Sequence, residues 1–537
     1  MSLLNKHFWR SGDPFIWLTG GALTLSLILV GGLVALIVGN GLGLFWPKDV
    51  LRVTLADGAV MTGQVVEREA IPGQAGQYRI KLKVANRDLY GADFQWVDEV
   101  RIVKREYPSD VAVIERTEWG LLIGAIKEVR DAGNVVASGG SPSWAVIRAR
   151  RPEAESVRRE IQGIERHDIG AINYEQERIR LAFRRLELKG VTGGPEIEAL
   201  RAQVAPLEAR YKAQTDRLAL LRNGQTLSVV VDADGGKTKD LPLAQVIDVR
   251  FPNAMSVLAK TAAYAARVWD FVSEDPREAN TEGGVFPAIF GTVMMVMIMS
   301  VIVTPLGVLA AFYLREYAKQ GPFVSAVRIA VNNLAGVPSI VFGVFGVGFF
   351  IYFVGGSIDR LFFAEALPTP TYGTGGILWA SLTLALLTVP VVIVATEEGL
   401  AAIPLGMREA SLALSATKLE TTLRVVLPAV MPSILTGLIL AMARAAGEVA
   451  PLMITGVVKL APSLPVDGAW PYLHLERKFM HLGFHIYDVG FQSPNVDAAR
   501  PMVFATTLLL LLIVVLLNLF AISMRNRLRR KYALAAV

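Results

Sequence analysis

The sequence predicts a mainly α-helical membrane protein: six spanning helices and one large α+β insertion outside the membrane. Three observations predict it. Of 537 residues, 53% are apolar and only 19% charged, too few charges for a soluble chain that would divide into three or four domains. The apolar residues collect in blocks of twenty or more, the length that crosses a ~30 Å hydrocarbon core. Much of the charge sits in one polar stretch, residues 47–282. The chain has no cysteine, which excludes disulfides and thiolate metal sites. A net charge of +6 suits juxtamembrane lysines and arginines, and is too diffuse for a nucleic-acid partner.

The six candidate spans are 15–39, 287–314, 323–354, 376–396, 433–458 and 501–524. The first is too long for the apolar core of a cleaved signal peptide, and no small-x-small cleavage pattern follows it before Trp46-Pro47, so a retained signal anchor is expected. Basic residues set the orientation. Lys6, Arg10, Arg315, Lys319, Arg408, Lys418, Arg424 and the tail residues Arg525, Arg527, Arg529, Arg530 and Lys531 fall on one side, which predicts cytoplasmic termini. Arg477 and Lys478 fall on the other. The expected organisation is 1–46 (N-terminal segment and first span), 47–282 (insertion outside) and 283–537 (membrane core).

Within the insertion, residues 50–105 alternate in short runs such as Leu51-Arg52-Val53-Thr54-Leu55, followed by an Asp57-Gly58 hairpin signal. Residues 153–222 are charged and helical, broken between Lys189 and Pro195. In the second arm Ile197, Leu200, Val204, Leu207, Tyr211, Leu218 and Leu221 recur at three- and four-residue steps, a coiled-coil seam, with Pro206 expected to kink it. Strands return at Leu227–Val231 and Val246–Phe251 around a Gly235-Gly236 turn. A β module bearing a helical hairpin is the expected outcome.

No catalytic centre or cofactor site is legible. Gly236-Lys237-Thr238 resembles the end of a phosphate-binding loop, but Val231 occupies the place of its first glycine and no helix pattern follows. A hairpin turn is the better reading, and no ATPase site is expected in this chain. His474, Glu476, His481 and His485 admit two readings: metal ligands, or an interfacial helix with polar tips near the headgroups. The second is favoured, and no metal is expected.

Two features interrupt the apolar spans. Arg444 and Glu448 fall near the middle of the fifth, each costing about 2.5–3.5 kcal/mol on insertion scales. A spacing of four places them on one helix face. Ala443, Ala445, Ala446 and Gly447 leave room beside them, and Pro451 should free carbonyls one turn later. An internal ion pair or an anion path would explain the pair, Arg444 offering a planar fork to phosphate oxygens and Glu448 holding it in place. In the third span Asn332, Asn333, Gly336, Pro338 and Ser339 mark a second break, either a packing kink or a discontinuity of the kind that lines substrate sites in transporters.

Between the fourth and fifth spans, residues 397–428 predict an amphipathic helix, a small-residue turn and a second short helix ending at Pro428, a compact knob suited to docking in a partner's groove. Glu409-Ala410-Ser411, Ser415 and Val425-Val426-Leu427-Pro428 resemble the EAA loop of ABC-importer permeases, with Ser411 in place of the second alanine, Ser415 in place of the glycine and Val425 in place of the isoleucine. With Gly283–Ile289, Leu334–Ile340, Thr396-Glu397-Glu398 and Arg444–Pro451, residues 280–525 are similar to the PstA family of phosphate-importer permeases. The long insertion departs from that family. The resemblance implies a type I ABC-importer permease fold in the bacterial inner membrane and a second homologous permease as partner. It also implies two cytoplasmic ATPase subunits on the knobs and an external phosphate-binding protein. In that picture Glu409 and its neighbours transmit ATP-driven closure and Arg444 lies on the phosphate path.

Two other readings compete. One keeps the importer and changes the cargo to another oxyanion; the other makes the chain a membrane-anchored envelope scaffold or sensor working through its coiled coil. Two midplane charges and two broken helices weigh against the scaffold, since an anchor has no use for them.

Overall fold

The computed structural model describes residues 12–533 apart from Ala75, Ala469 and Pro494; Lys6 and Arg10 lie outside the described residues. Six helices are long and apolar enough to cross a membrane. The first, α1 (Asp13–Gly43), has none of its most apolar window buried, as suits a helix surrounded by lipid.

After α1 the chain builds two antiparallel sheets. Strands β1 (Val50–Leu55), β2 (Val60–Ala70), β3 (Tyr78–Lys83), β4 (Phe94–Asp98) and β5 (Ile102–Glu106) lie in the order β4-β3-β2-β1-β5. Strands β6 (Val111–Arg116), β7 (Leu121–Asp131), β8 (Asn134–Ser138), β9 (Leu227–Asp232), β10 (Thr238–Pro242) and β11 (Val246–Arg250) form the second sheet, β10-β9-β7-β6-β11, with β8 paired to β7. Alternate residues such as Val53 and Leu55, or Ala112 and Ile114, are buried, the period-2 pattern the sequence carries. Gly58, with φ +81°, turns β1 into β2. Gly235 and Gly236, at φ +74° and +71°, sit in the β9–β10 connection. Gly236-Lys237-Thr238 is therefore a hairpin corner. The sheets are joined by Asn86, whose side chain both donates to Ile123 O (2.8 Å) and accepts from Ile123 N–H (2.7 Å).

The helical excursion leaves between β8 and β9. It comprises α2 (Gly140–Gly163), a wide turn at Ile164–Asp168, α3 (Ile169–Leu188) and the returning α4 (Pro195–Asn223). It begins at Gly140 rather than at 153. The Gly-Ser-Pro opening reads as a loop, but Pro142 falls in the first turn, where a missing N–H costs nothing. Trp144 then packs edge-on to Phe251, and Ile147 is fully buried on the sheet. Leu200, Val204 and Leu207 of α4 pack with Ile172, Ile179 and Phe183 of α3. Tyr211, read as part of the same seam, is instead 40% exposed. Helix α5 (Val257–Ser273), capped by the Ser256 hydroxyl accepting from Ala259 N–H at 3.3 Å, leads to the membrane core.

That core contains α6 (Phe286–Phe312), α7 (Pro322–Leu334), α8 (Ser339–Phe345, continuing through wide turns to Phe362), α9 (Ile377–Ala402), α10 (Leu405–Ala413), α11 (Lys418–Thr421), α12 (Leu427–Gly447), α13 (Ala450–Thr455), α14 (Leu482–Tyr487) and α15 (Val496–Ala533). Helix α9 is the hub, packed between α6 and α12, and is the most buried of the six spans.

Two predicted spans shift. The third is not one helix over 323–354; α7 stops at Leu334 and the span is Ser339–Phe362. Pro338 has no N–H and holds Val337 out of the helical region. The fifth is not 433–458 but Lys418–Gly447. Its second short helix does not end at Pro428: the chain runs on from α11 into α12 through Thr422–Val426, where Leu427 N–H reaches back five residues to Thr422 O. Such a widened turn absorbs the donor that Pro428 lacks.

The α9–α12 crossing depends on Gly399. A Cβ there would stand 2.4 Å from Ser433 Cβ and 2.6 Å from Val430 Cγ2. Gly399→Val is expected to destabilise the detergent-solubilised protein by about 1–3 kcal/mol through overpacking. Gly406→Ala, with nothing within 4 Å of its added carbon, should not lower the melting temperature and should raise it slightly, since alanine favours the helix.

Candidate functional site

The two interruptions flagged in the membrane sequence are both complete breaks, and the half-helices beyond them touch. Arg444 lies in the last turn of α12, not at the middle of a longer helix. Glu448 follows the helix end with φ −79° and ψ 133°, extended backbone. Arg444 Nε is 3.7 Å from Glu448 Oε1, an ion pair without a hydrogen bond, and both side chains are only partly buried (34% and 22% exposed). They are not sealed in dry helix packing. Pro451 does not free carbonyls within a continuing helix; it sits in the first turn of α13, where its missing donor is harmless.

On the other side, Asn332 and Asn333 are exposed at the end of α7, and Ser339 opens α8 after Pro338. Gly336 N–H donates to Asn333 O at 3.0 Å, tightening the turn. Helices α8 and α13 pack directly at Gly343, where a Cβ would stand 2.8 Å from Pro451 Cα. Leu334 and Val337 pack into the cluster that holds Ala441, Met442, Ala445 and Leu452. Both breaks thus belong to one layer of the core. Asn332, Asn333, Gly336 and Gly447 at these breaks are exposed on the chain, so the non-helical backbone there needs neighbouring protein or a water-filled path at membrane depth.

The loop after α9 folds as α10, a turn around Ser415 and α11, which runs on into α12. Ser415 adopts φ +64°, the left-handed region where the family pattern has glycine; Ser415 N–H bonds to Leu412 O and Ala416 N–H to Ser411 O. Thr417 then caps α11 in a reciprocal pair with Glu420, and the Ser411 and Thr421 hydroxyls meet at 2.9 Å. Glu409 and Ala410 are exposed, beside exposed Leu405, Leu414 and Leu419. Leu427 and Pro428 are half-buried at the start of α12. The knob thus exposes an apolar, partly acidic surface.

Sequence reasoning missed what anchors the knob. Arg408 donates to Glu316 Oε1 (2.9 Å), Leu400 O (2.9 Å) and Ile403 O (3.0 Å), while Arg328 pairs with Glu397 at 3.1 Å. The only signal was charge at the ends of apolar runs; which charges meet is invisible in one dimension.

The histidine-rich loop departs from both of its readings. Among the described residues, no group of three His, Asp or Glu is arranged to hold a metal. His474 lies between Glu476 Oε1 and Asp467 Oδ1, each at 3.1 Å. His481 caps α14, accepting from Gly483 N–H at 3.1 Å, and it and His485 are buried rather than set among headgroups. Burial pushes His481 down to about 3 and His485 to about 4.

Residues 303–533 match the family of binding-protein-dependent transport system inner membrane components. The chain is 34% identical over 203 residues (37% of this chain, 61% of the relative) to the phosphate transport system permease protein PstA of Mycobacterium leprae. It is 36% identical over 172 residues (32% and 50%) to PstA 1 of Mycobacterium tuberculosis H37Rv. With PstA of Yersinia pestis it shares 33% over 187 residues (35% and 57%). The chain thus spans roughly half to three-fifths of the length of these relatives. Among solved structures, the MetNI methionine ABC transporter aligns over 49% of this chain and 98% of its own, with 20% identity and a TM-score of 0.33.

The buried histidines make stability pH-dependent. Their folded pKa values lie below the ordinary imidazole value, so the unfolded chain binds more protons and stability rises with pH. It should fall as pH drops from about 6.5 towards 4. His485→Gln should flatten that slope, read from melting temperatures across the range.

Proposed function

We propose that this chain is the membrane-spanning permease subunit of an ATP-driven importer whose cargo is inorganic phosphate. The observation that carries the reading is the partly buried Arg444–Glu448 pair at a helix break, packed one half-helix away from the break at Asn333–Ser339. The match of residues 303–533 to importer membrane components, and the identity shared with phosphate permeases, support it.

In this reading the broken helices bound the path. Arg444 presents a planar donor fork to a tetrahedral oxyanion, and Asn332, Asn333 and Ser339 add neutral hydrogen-bonding groups. Glu448 keeps the guanidinium aimed and limits how tightly the anion is held. A path must release its cargo, so a loose 3.7 Å pair serves better than a closed one. The knob carrying Glu409 to Ser415 docks on a cytoplasmic ATPase subunit, and Arg408 links that movement to α6 through Glu316. The chain itself hydrolyses no ATP. Its partners are a second homologous permease, two ATPase subunits and an external phosphate-binding protein. Both termini face the cytoplasm of the inner membrane, and residues 47–282 lie outside.

Arg444→Ala should lower radiolabelled phosphate uptake by roughly tenfold to a hundredfold, the loss of one charge-assisted contact, with membrane insertion intact. Uptake at the parental rate would remove the assigned role. Glu409→Lys should abolish co-purification of the ATPase from solubilised membranes; full recovery would refute docking at the knob.

A further inference from the structure

Where the insertion meets the membrane helices, the chain lines a partly open cavity of about 450 Å³, within the range of small-ligand sites. Its floor is formed by Gly39, Asn40 and Gly43 of α1 with Pro501 and Phe504 of α15, and its roof by residues of both sheets. It therefore stands at the level where the first span ends and the last begins. Trp46, at the rim, is the kind of side chain that settles at a headgroup boundary.

The charges around it do not balance locally. Asp248 is taken by Arg151 (2.6 Å) and Arg250, Glu115 by Arg277 (2.5 Å), and Asp497 by Lys81 (2.6 Å) and Arg500 (3.3 Å). Of the lining carboxylates only Glu67 is left, and it is exposed. Three lining cations have no ion-pair partner among the described residues: Lys48 at the mouth, Lys83 on β3 and Arg267 on α5. Arg267, half-buried, makes one long bond, Nη1 to Phe45 O at 3.4 Å. Glu115, Asp248 and Glu282 lie near enough to be felt, but none bonds to it. Burial, and after it the neighbouring Arg250, lowers the Arg267 pKa; burial and then Lys83 lower that of Lys48. Lys48 and Lys83 lie near enough to repel each other, which an anion between them would relieve, while the partly buried Glu282 is felt by both Lys83 and Arg267.

We propose that this cavity binds a phosphate-bearing anion through Lys48, Lys83 and Arg267, its natural source being the headgroup of an anionic phospholipid. The position favours a lipid over a soluble ion. The cations share the cavity with Gly39, Asn40 and Gly43 of α1 and Pro501 and Phe504 of α15, Phe504 and Leu44 provide apolar lining, and the most apolar part of α1 is otherwise bare to the bilayer. A lipid seated there would bind the insertion to its own membrane anchor. The inference does not depend on which cargo the core carries.

The test uses the full chain in detergent, with thermal unfolding followed as phosphatidylglycerol, phosphatidylcholine or inorganic phosphate is titrated in. Saturable stabilisation by phosphatidylglycerol and not by phosphatidylcholine is expected, with phosphatidylglycerol retained in native mass spectra. Lys48→Gln with Lys83→Gln should raise the midpoint concentration by roughly fivefold or more. Lys104→Gln, on exposed β5, is the control and should not. An equal shift from inorganic phosphate alone would overturn the lipid source. Equal shifts from both lipids, or a midpoint untouched by the double variant, would overturn the site.

Discussion

A backbone amide or carbonyl inside a bilayer has no water to turn to, and that constraint organises the membrane half of this protein. The chain breaks between α7 and α8 after Leu334, and between α12 and α13 after Gly447, where the fifth span ends. Each break would be prohibitive facing lipid. They are tolerated because the short helices that follow, α8 and α13, lean on one another at Gly343 and Pro451, while α9 packs behind both.

The same economy governs the loop between α9 and α12. Ser415 accepts a left-handed backbone that costs an L-residue roughly 1–2 kcal/mol. The turn is held on both sides, by Arg408 bonded to two carbonyls and Glu316 before it and by the Thr417–Glu420 capping box after it. With its geometry fixed from within, the knob can leave Leu405, Leu414 and Leu419 facing outward. A surface that is rigid and apolar at once is suited to transmit force to a partner.

The insertion is tied to the membrane core at many points. Lys81 pairs with Asp497 at the head of the last span, Arg185 with Glu365 in the loop before α9, and the Tyr174 hydroxyl donates to Trp470 O at 3.0 Å. Movement of the core would be felt in the sheets and helices above it. The unpaired cations of the interfacial cavity lie on that same seam.

Much of this was legible in one dimension wherever a local rule decides. Apolar length identified six spans, period-2 alternation and Asp57-Gly58 located the first hairpin, and Gly235-Gly236 with Val231 ruled out a phosphate loop. Helix limits were legible only where the stop is local, as at Lys189–Gly194. They failed where packing overrides propensity: Trp144 and Ile147 draw α2 back to Gly140 because a sheet lies beneath them, and the widened turn before Pro428 joins α11 to α12. The sequence by itself determined which residues are chemically out of place, Arg444, Glu448, Asn332, Asn333 and the histidines, since cost in lipid is a property of the side chain. Only the tertiary structure decided which residues meet, because an ion pair such as Arg328–Glu397, or a cavity lined by Gly39, Lys83 and Phe504 together, joins positions whose separation along the chain carries no information about distance in space.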